Sequence, residues 1–79
     1  MPQGCIAVET SVPGSLWKVT VAEGDVVAAG DTVAIVESMK MEMAVTAPRA
    51  GKVAQIRAVP GQGLSMGEII AVLEIEDAT

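Results

Sequence analysis

The chain contains no histidine, tyrosine or phenylalanine, and it has one cysteine and one tryptophan. Without histidine, most nucleophile–base triads and most zinc sites are out of reach. Cys5 has no second cysteine to pair with, so no internal disulfide can form. Basic residues are also scarce: five against ten acidic ones leave a net charge of −5. Phosphate backbones need basic patches, so nucleic acid is not an expected partner. Long apolar runs are missing too. The longest, Ile69-Ile70-Ala71-Val72-Leu73, falls far short of the roughly 20 residues of a membrane-spanning helix. The first basic residue is Lys18, which leaves no charged start for a secretion signal, and neither end carries a lipidation motif. No G-x-G-x-x-G or P-loop cradles a phosphate. The expectation is a soluble cytoplasmic domain with no nucleic-acid or membrane partner. A self-contained hydrolase or metalloenzyme matches poorly; a domain that presents a group to other proteins matches better.

What is present is compact in design. The 79 residues suit one domain, residues 1–79, and 51% hydrophobic content argues against disorder. Glycine and proline punctuate the chain every few residues, as in short strands joined by turns. The chain is also written twice. Under a shift of 37 residues, Gly14, Gly24 and Gly30 fall on Gly51, Gly61 and Gly67, and Glu37 falls on Glu74. Leu16, Val19, Val33, Ile35 and Val36 fall on Val53, Ile56, Ile70, Val72 and Leu73. Each half reads as a strand, a glycine turn, a short strand, a second turn and a longer strand. The first half has strands at Ser15–Val21, Val26–Val27 and Thr32–Ser38; the second at Lys52–Ala58, Leu64–Ser65 and Ile69–Ile75. Two more lie near Cys5–Val8 and Met41–Ala47. Neither half can bury its apolar face alone. The expected fold is all-β: a flattened barrel or sandwich of two antiparallel four-stranded sheets with an internal pseudo-two-fold repeat.

The segment Glu37-Ser38-Met39-Lys40-Met41-Glu42-Met43-Ala44 is rich in helix formers and lacks glycine and proline. Two features favour a hairpin over a helix. Met41, Met43, Val45 and Ala47 alternate with Glu42, Ala44 and Thr46, which is strand periodicity. The repeat also makes Thr32–Glu37 a strand and leaves little room for a helix. Lys40 then lies at or near the hairpin tip. A two-residue hairpin ordinarily uses Asn-Gly or Asp-Gly, because both central residues need positive φ. Met-Lys is a costly choice there, and costly local conformation clusters at functional sites.

The string Glu37-Ser38-Met39-Lys40-Met41-Glu42 resembles the attachment motif of biotinyl domains, whose usual core is Ala/Ser-Met-Lys-Met. The resemblance covers nearly the whole chain, including Pro13-Gly14, Glu23-Gly24-Asp25, Ala29-Gly30-Asp31 and the segment from Ala47-Pro48 to Gly51. It implies a biotin carboxyl carrier, itself non-catalytic, with biotin joined covalently to Lys40 by a biotin protein ligase through an activated biotinyl-adenylate. Glu37, Ser38, Met39, Met41 and Glu42 would flank the site and be read by the ligase. The domain would shuttle carboxyl groups between a biotin carboxylase and a carboxyltransferase, and would be monomeric in isolation. Leu16-Trp17-Lys18-Val19 and Pro60-Gly61-Gln62 look most like carriers of the urea carboxylase or urea amidolyase type and like small biotinyl proteins. Val21 reaches Val26 through only four residues, so the protruding thumb of some acetyl-CoA carboxylase carriers has no room. Lipoyl carriers are similar in fold but usually carry Asp-Lys-Ala at the tip, so Met39-Lys40-Met41 favours biotin.

Other residues have plainer readings. Trp17 is expected to anchor packing, with a partner-facing surface position as the alternative, and Cys5 to fill a small core position. Met41 suits core packing or partner contact equally; Met39 suits contact. Glu37 is read as having a structural as well as a flanking role, and Glu42 as a solvated strand residue. Gln62-Gly63 stands where the first half has Asp25-Val26, which weakens the expectation of a short strand there.

Overall fold

The computed structural model describes the backbone of residues 3–76 and the side chains of residues 4–75. Among these residues the chain forms eight strands: β1 (Gln3–Glu9), β2 (Gly14–Val19), β3 (Val26–Val27), β4 (Thr32–Ser38), β5 (Met41–Thr46), β6 (Gly51–Ile56), β7 (Gly63–Leu64) and β8 (Ile69–Glu76). They build two antiparallel four-stranded sheets, ordered β1-β8-β6-β3 and β5-β4-β2-β7. The expected all-β architecture is therefore the observed one, in a body of 43 × 18 × 17 Å.

The duplication is carried into the backbone. Each half contains two turns: Ala22–Asp25 and Ala28–Asp31 in the first, Val59–Gln62 and Ser65–Glu68 in the second. In all four, the N–H of the last residue donates to the carbonyl of the first at 3.0 Å. The third residue is glycine with φ between +85° and +96°, the signature of a type II turn. The last side chain closes each turn by accepting the N–H of the first residue. Asp25 accepts from Ala22 at 2.9 Å and Asp31 from Ala28 at 2.8 Å, while Gln62 accepts from Val59 at 3.1 Å and Glu68 from Ser65 at 2.9 Å. The amide oxygen of Gln62 thus does what a carboxylate does elsewhere. This is why β7 forms beside it despite the weakened expectation.

The contacts between the halves repeat under the same shift. Gly24 N–H donates to Val53 O and Gly61 N–H to Leu16 O; Gly30 N–H donates to Ala47 O and Gly67 N–H to Thr10 O. The core follows the pattern: Leu16 with Val53, Val27 with Leu64, Val33 with Ile70, and Val36 with Leu73 are all buried. Val8 and Val45 form a further buried pair, so β1 and β5 are equivalent strands, a match beyond the span expected from sequence.

Two residue assignments are corrected. Cys5 is exposed rather than in the core, because β1 is an edge strand whose inward position is Val8. Trp17 is 48% exposed, so of its two readings the buried anchor gives way to the surface position. The β2–β4 register shifts between Leu16 and Lys18, so Trp17 is the extra residue of a bulge; Leu16 turns into the core, and Trp17 and Lys18 both lie on the exposed side.

Candidate functional site

Strands that follow one another in sequence lie in opposite sheets, with one exception among the described residues: β4 and β5 pair directly as a hairpin. The Ser38↔Met41 pair closes it, leaving Met39 and Lys40 as the two-residue tip. Under the 37-residue shift this pair maps onto Gly4↔Ile75, where β1 meets β8. The tip is thus a feature that only one half of the repeat possesses.

Both tip residues have positive φ, 51° at Met39 and 68° at Lys40, and they are the two non-glycine residues of the described chain that do. This is the pattern of a type I′ hairpin turn, whose twist matches that of the flanking strands. Left-handed backbone costs a residue with a Cβ about 1–2 kcal/mol. Strand pairing on both sides holds the turn closed against that cost. The helix that propensity alone would favour does not form, because β4 is already committed to pairing with β2.

The surface of the tip is unusual in kind. Met39 is 93% exposed and Met41 62% exposed, so both flank Lys40 as solvated thioethers. The alternation along β5 holds, but it reaches the core only at Val45 and, just past the strand, at Ala47. Of the two readings open for Met41, core packing is therefore excluded. Lys40 is exposed, and its ammonium has no hydrogen-bond or ion-pair partner among the described residues. Ser38 is half-buried beneath the tip. Glu37 and Glu42 sit directly opposite each other on β4 and β5, both exposed. Like charges so placed are destabilising. All six singled-out residues, Glu37, Ser38, Met39, Lys40, Met41 and Glu42, therefore cluster at one hairpin end. No group of three or more metal-ligating side chains occurs among the described residues.

One positioning residue was read differently from sequence. Gly14, which falls just outside the strand expected from Ser15, is the first residue of β2, and a Cβ built on it would collide with the Glu37 carbonyl oxygen. Its repeat partner Gly51 has the same role, with a built Cβ 2.8 Å from the Glu74 oxygen. Glycine at these places lets β2 lie close beside β4, and β6 beside β8, within their sheets. Only the first of these approaches supports the tip. The sequence signal was the match of both the glycines and the glutamates under one shift.

A family model described as "Biotin-requiring enzyme" matches residues 5–73. The chain is 38% identical to a biotin/lipoyl attachment protein of Bacillus subtilis, over 94% of this chain and 99% of that protein. It is also 38% identical to urea amidolyase of Saccharomyces cerevisiae, over 92% of this chain but only 4% of that protein. Among solved structures, the urea carboxylase of Kluyveromyces lactis superposes with a TM-score of 0.85 at 38% identity, over 92% of this chain and 6% of that one. The chain thus spans a small fraction of these two larger relatives.

Proposed function

The chain belongs to the biotin/lipoyl attachment family, and from that premise we propose that it is a biotin carrier with Lys40 as its attachment residue. The observation that carries the reading is the tip itself: a solvated primary amine with no hydrogen-bond or ion-pair partner among the described residues, raised on a two-residue turn whose strained backbone the paired strands β4 and β5 of one sheet hold.

The residues present fit such a group. Attachment needs an amine that a second protein can surround, and Lys40 stands clear of both sheets on a flexible four-carbon stem. The Lys40 Nζ attacks the acyl carbon of an activated biotin adenylate. A C–N amide bond forms, the C–O bond to phosphate breaks, AMP leaves, and the amine's proton passes to a base. No side chain of the described residues hydrogen-bonds Lys40, so that base belongs to the ligase. Met39 and Met41 give the ligase adaptable apolar contacts on both sides of the amine. Glu37 and Glu42 give it a pair of negative charges whose mutual repulsion a cationic partner surface would relieve. Once bound, biotin supplies a ureido ring able to carry a carboxyl group. The rigid sandwich keeps the tether's base fixed while the arm reaches a biotin carboxylase and a carboxyltransferase. The Met-Lys-Met tip favours biotin over a lipoyl group.

Co-expression with a biotin ligase tests the proposal. Streptavidin blotting should detect the wild-type chain, and Lys40→Arg should give no signal while retaining the fold, since the substitution keeps charge and exposure. A signal that persists in Lys40→Arg contradicts the assignment.

A further inference from the structure

The duplicated fold contains its own control. Both halves carry the same bulge: the β2–β4 register shifts at Trp17 and the β6–β8 register at Ala54. In the half without a tip the bulge is Ala54-Gln55; in the half with the tip it is Trp17-Lys18. The bulge as a piece of backbone therefore requires neither an aromatic ring nor a cation. Trp17 is the chain's single aromatic side chain, and half of it is in solvent. The Lys18 ammonium lies 4.8 Å from its ring centroid. Opposite Lys18 stands Ile35, half-buried, and beyond that Ala44, exposed; this row leads across the face of the hairpin.

We propose that Trp17, with Lys18 beside it, is a resting site for the biotinyl arm of the same chain. This rests on Lys40 being the attachment residue. The reach is adequate. Trp17 lies level with Ile35 and Val36, four to five residues down β4 from Lys40 and one strand across on β2, which is about 16 Å from strand rise and strand spacing. From the Lys40 Cα to the biotin ring the arm has about eleven single bonds, an extended span of about 14 Å before the ring itself is counted. The chemistry is complementary. The apolar, sulfur-containing half of the biotin bicycle suits an aromatic face, and its ureido oxygen suits an ammonium donor. Lys18 covers one side of the indole and leaves the remaining exposed surface for the ring. Short flexible tethers give effective concentrations in the millimolar range, so a contact of only millimolar strength would hold the arm there roughly half the time. The resting arm shields the ring without locking it, and a partner site of higher affinity withdraws it.

With no tyrosine or phenylalanine in the chain, tryptophan emission reports Trp17 alone. The experiment compares unmodified and biotinylated protein by emission spectrum and acrylamide quenching, after intact mass has been read. In the biotinylated protein the emission should shift to the blue and the quenching constant should fall by roughly a third or more, as half-time occupancy requires. Free biotin at equal concentration should do neither. The second arm uses Trp17→Ala, which Ala54 shows to be compatible with the bulge: its biotinylated form should bind streptavidin about twice as fast, because the free fraction of the arm sets the rate. If the mass shows no biotin on Lys40, the carrier reading fails and the resting site fails with it. If biotin is present but emission, quenching and streptavidin rate are all unchanged, the resting site alone is overturned, and Trp17 is left to contact a partner protein.

Discussion

Lys40 is set apart from Lys18 and Lys52 by backbone rather than by its own chemistry. Lys18 lies against the Trp17 ring and Lys52 is a strand residue of β6, whereas Lys40 has a φ of 68° on a two-residue tip. The left-handed conformation of Met39 is the costly part, since Asn or Gly would adopt it more readily. Met39→Asn should therefore raise stability by about 0.5–1 kcal/mol in denaturant melts, while slowing ligase modification through loss of the thioether contact. A variant that is both no more stable and modified at the wild-type rate would show that Met39 neither strains the turn nor meets the ligase. The position of Lys40 was legible from Met-Lys-Met at the centre of the repeat. The exposure of Trp17 and Cys5 was not. Residue type argued for burial, and neither the bulge at Trp17 nor the edge position of β1 leaves a sequence signal.

The β4–β5 hairpin depends on its neighbour in the sheet, β2. Gly14 allows β2 to approach the Glu37 carbonyl, and Gly51 allows β6 to approach that of Glu74. Gly14→Ala and Gly51→Ala should each destabilise by about 1–3 kcal/mol, the range for forcing an extra carbon into a packed contact. Only Gly14→Ala should also slow biotinylation under conditions where both variants are folded, because Glu37 lies three residues from Lys40 and Glu74 lies in the half without a tip. Equal modification rates in the two variants would mean that the tip is insensitive to the base of its hairpin. Most strand positions were legible from the shift-matched glycines and apolar residues. The equivalence of β1 with β5 was not, because between Gly4–Thr10 and Met41–Ala47 only Ala7/Ala44 and Val8/Val45 are identical. The match is one of backbone path and burial more than of residue type.

The whole molecule is one motif used twice, with a tip built on one copy. Its four turns share one hydrogen-bond scheme and one glycine conformation. A Cβ at Gly24 or Gly61 meets no atom within 4 Å, so a substitution there is opposed by backbone conformation and not by crowding. Gly24→Val and Gly61→Val should each lower stability by about 1–3 kcal/mol in denaturant melts and leave Lys40 modification intact in the folded population. Lost modification in a fully folded variant would place the ligase on these turns. A biotin carrier of this kind requires that one amine be chosen by its place in the fold. The most direct measurement is intact mass followed by peptide mapping after parallel exposure to a biotin ligase and to a lipoate ligase. One biotin per chain is expected, mapped to Lys40, with Lys18 and Lys52 unmodified and no lipoyl addition. A lipoyl group on Lys40, or biotin on Lys18 or Lys52, would contradict it.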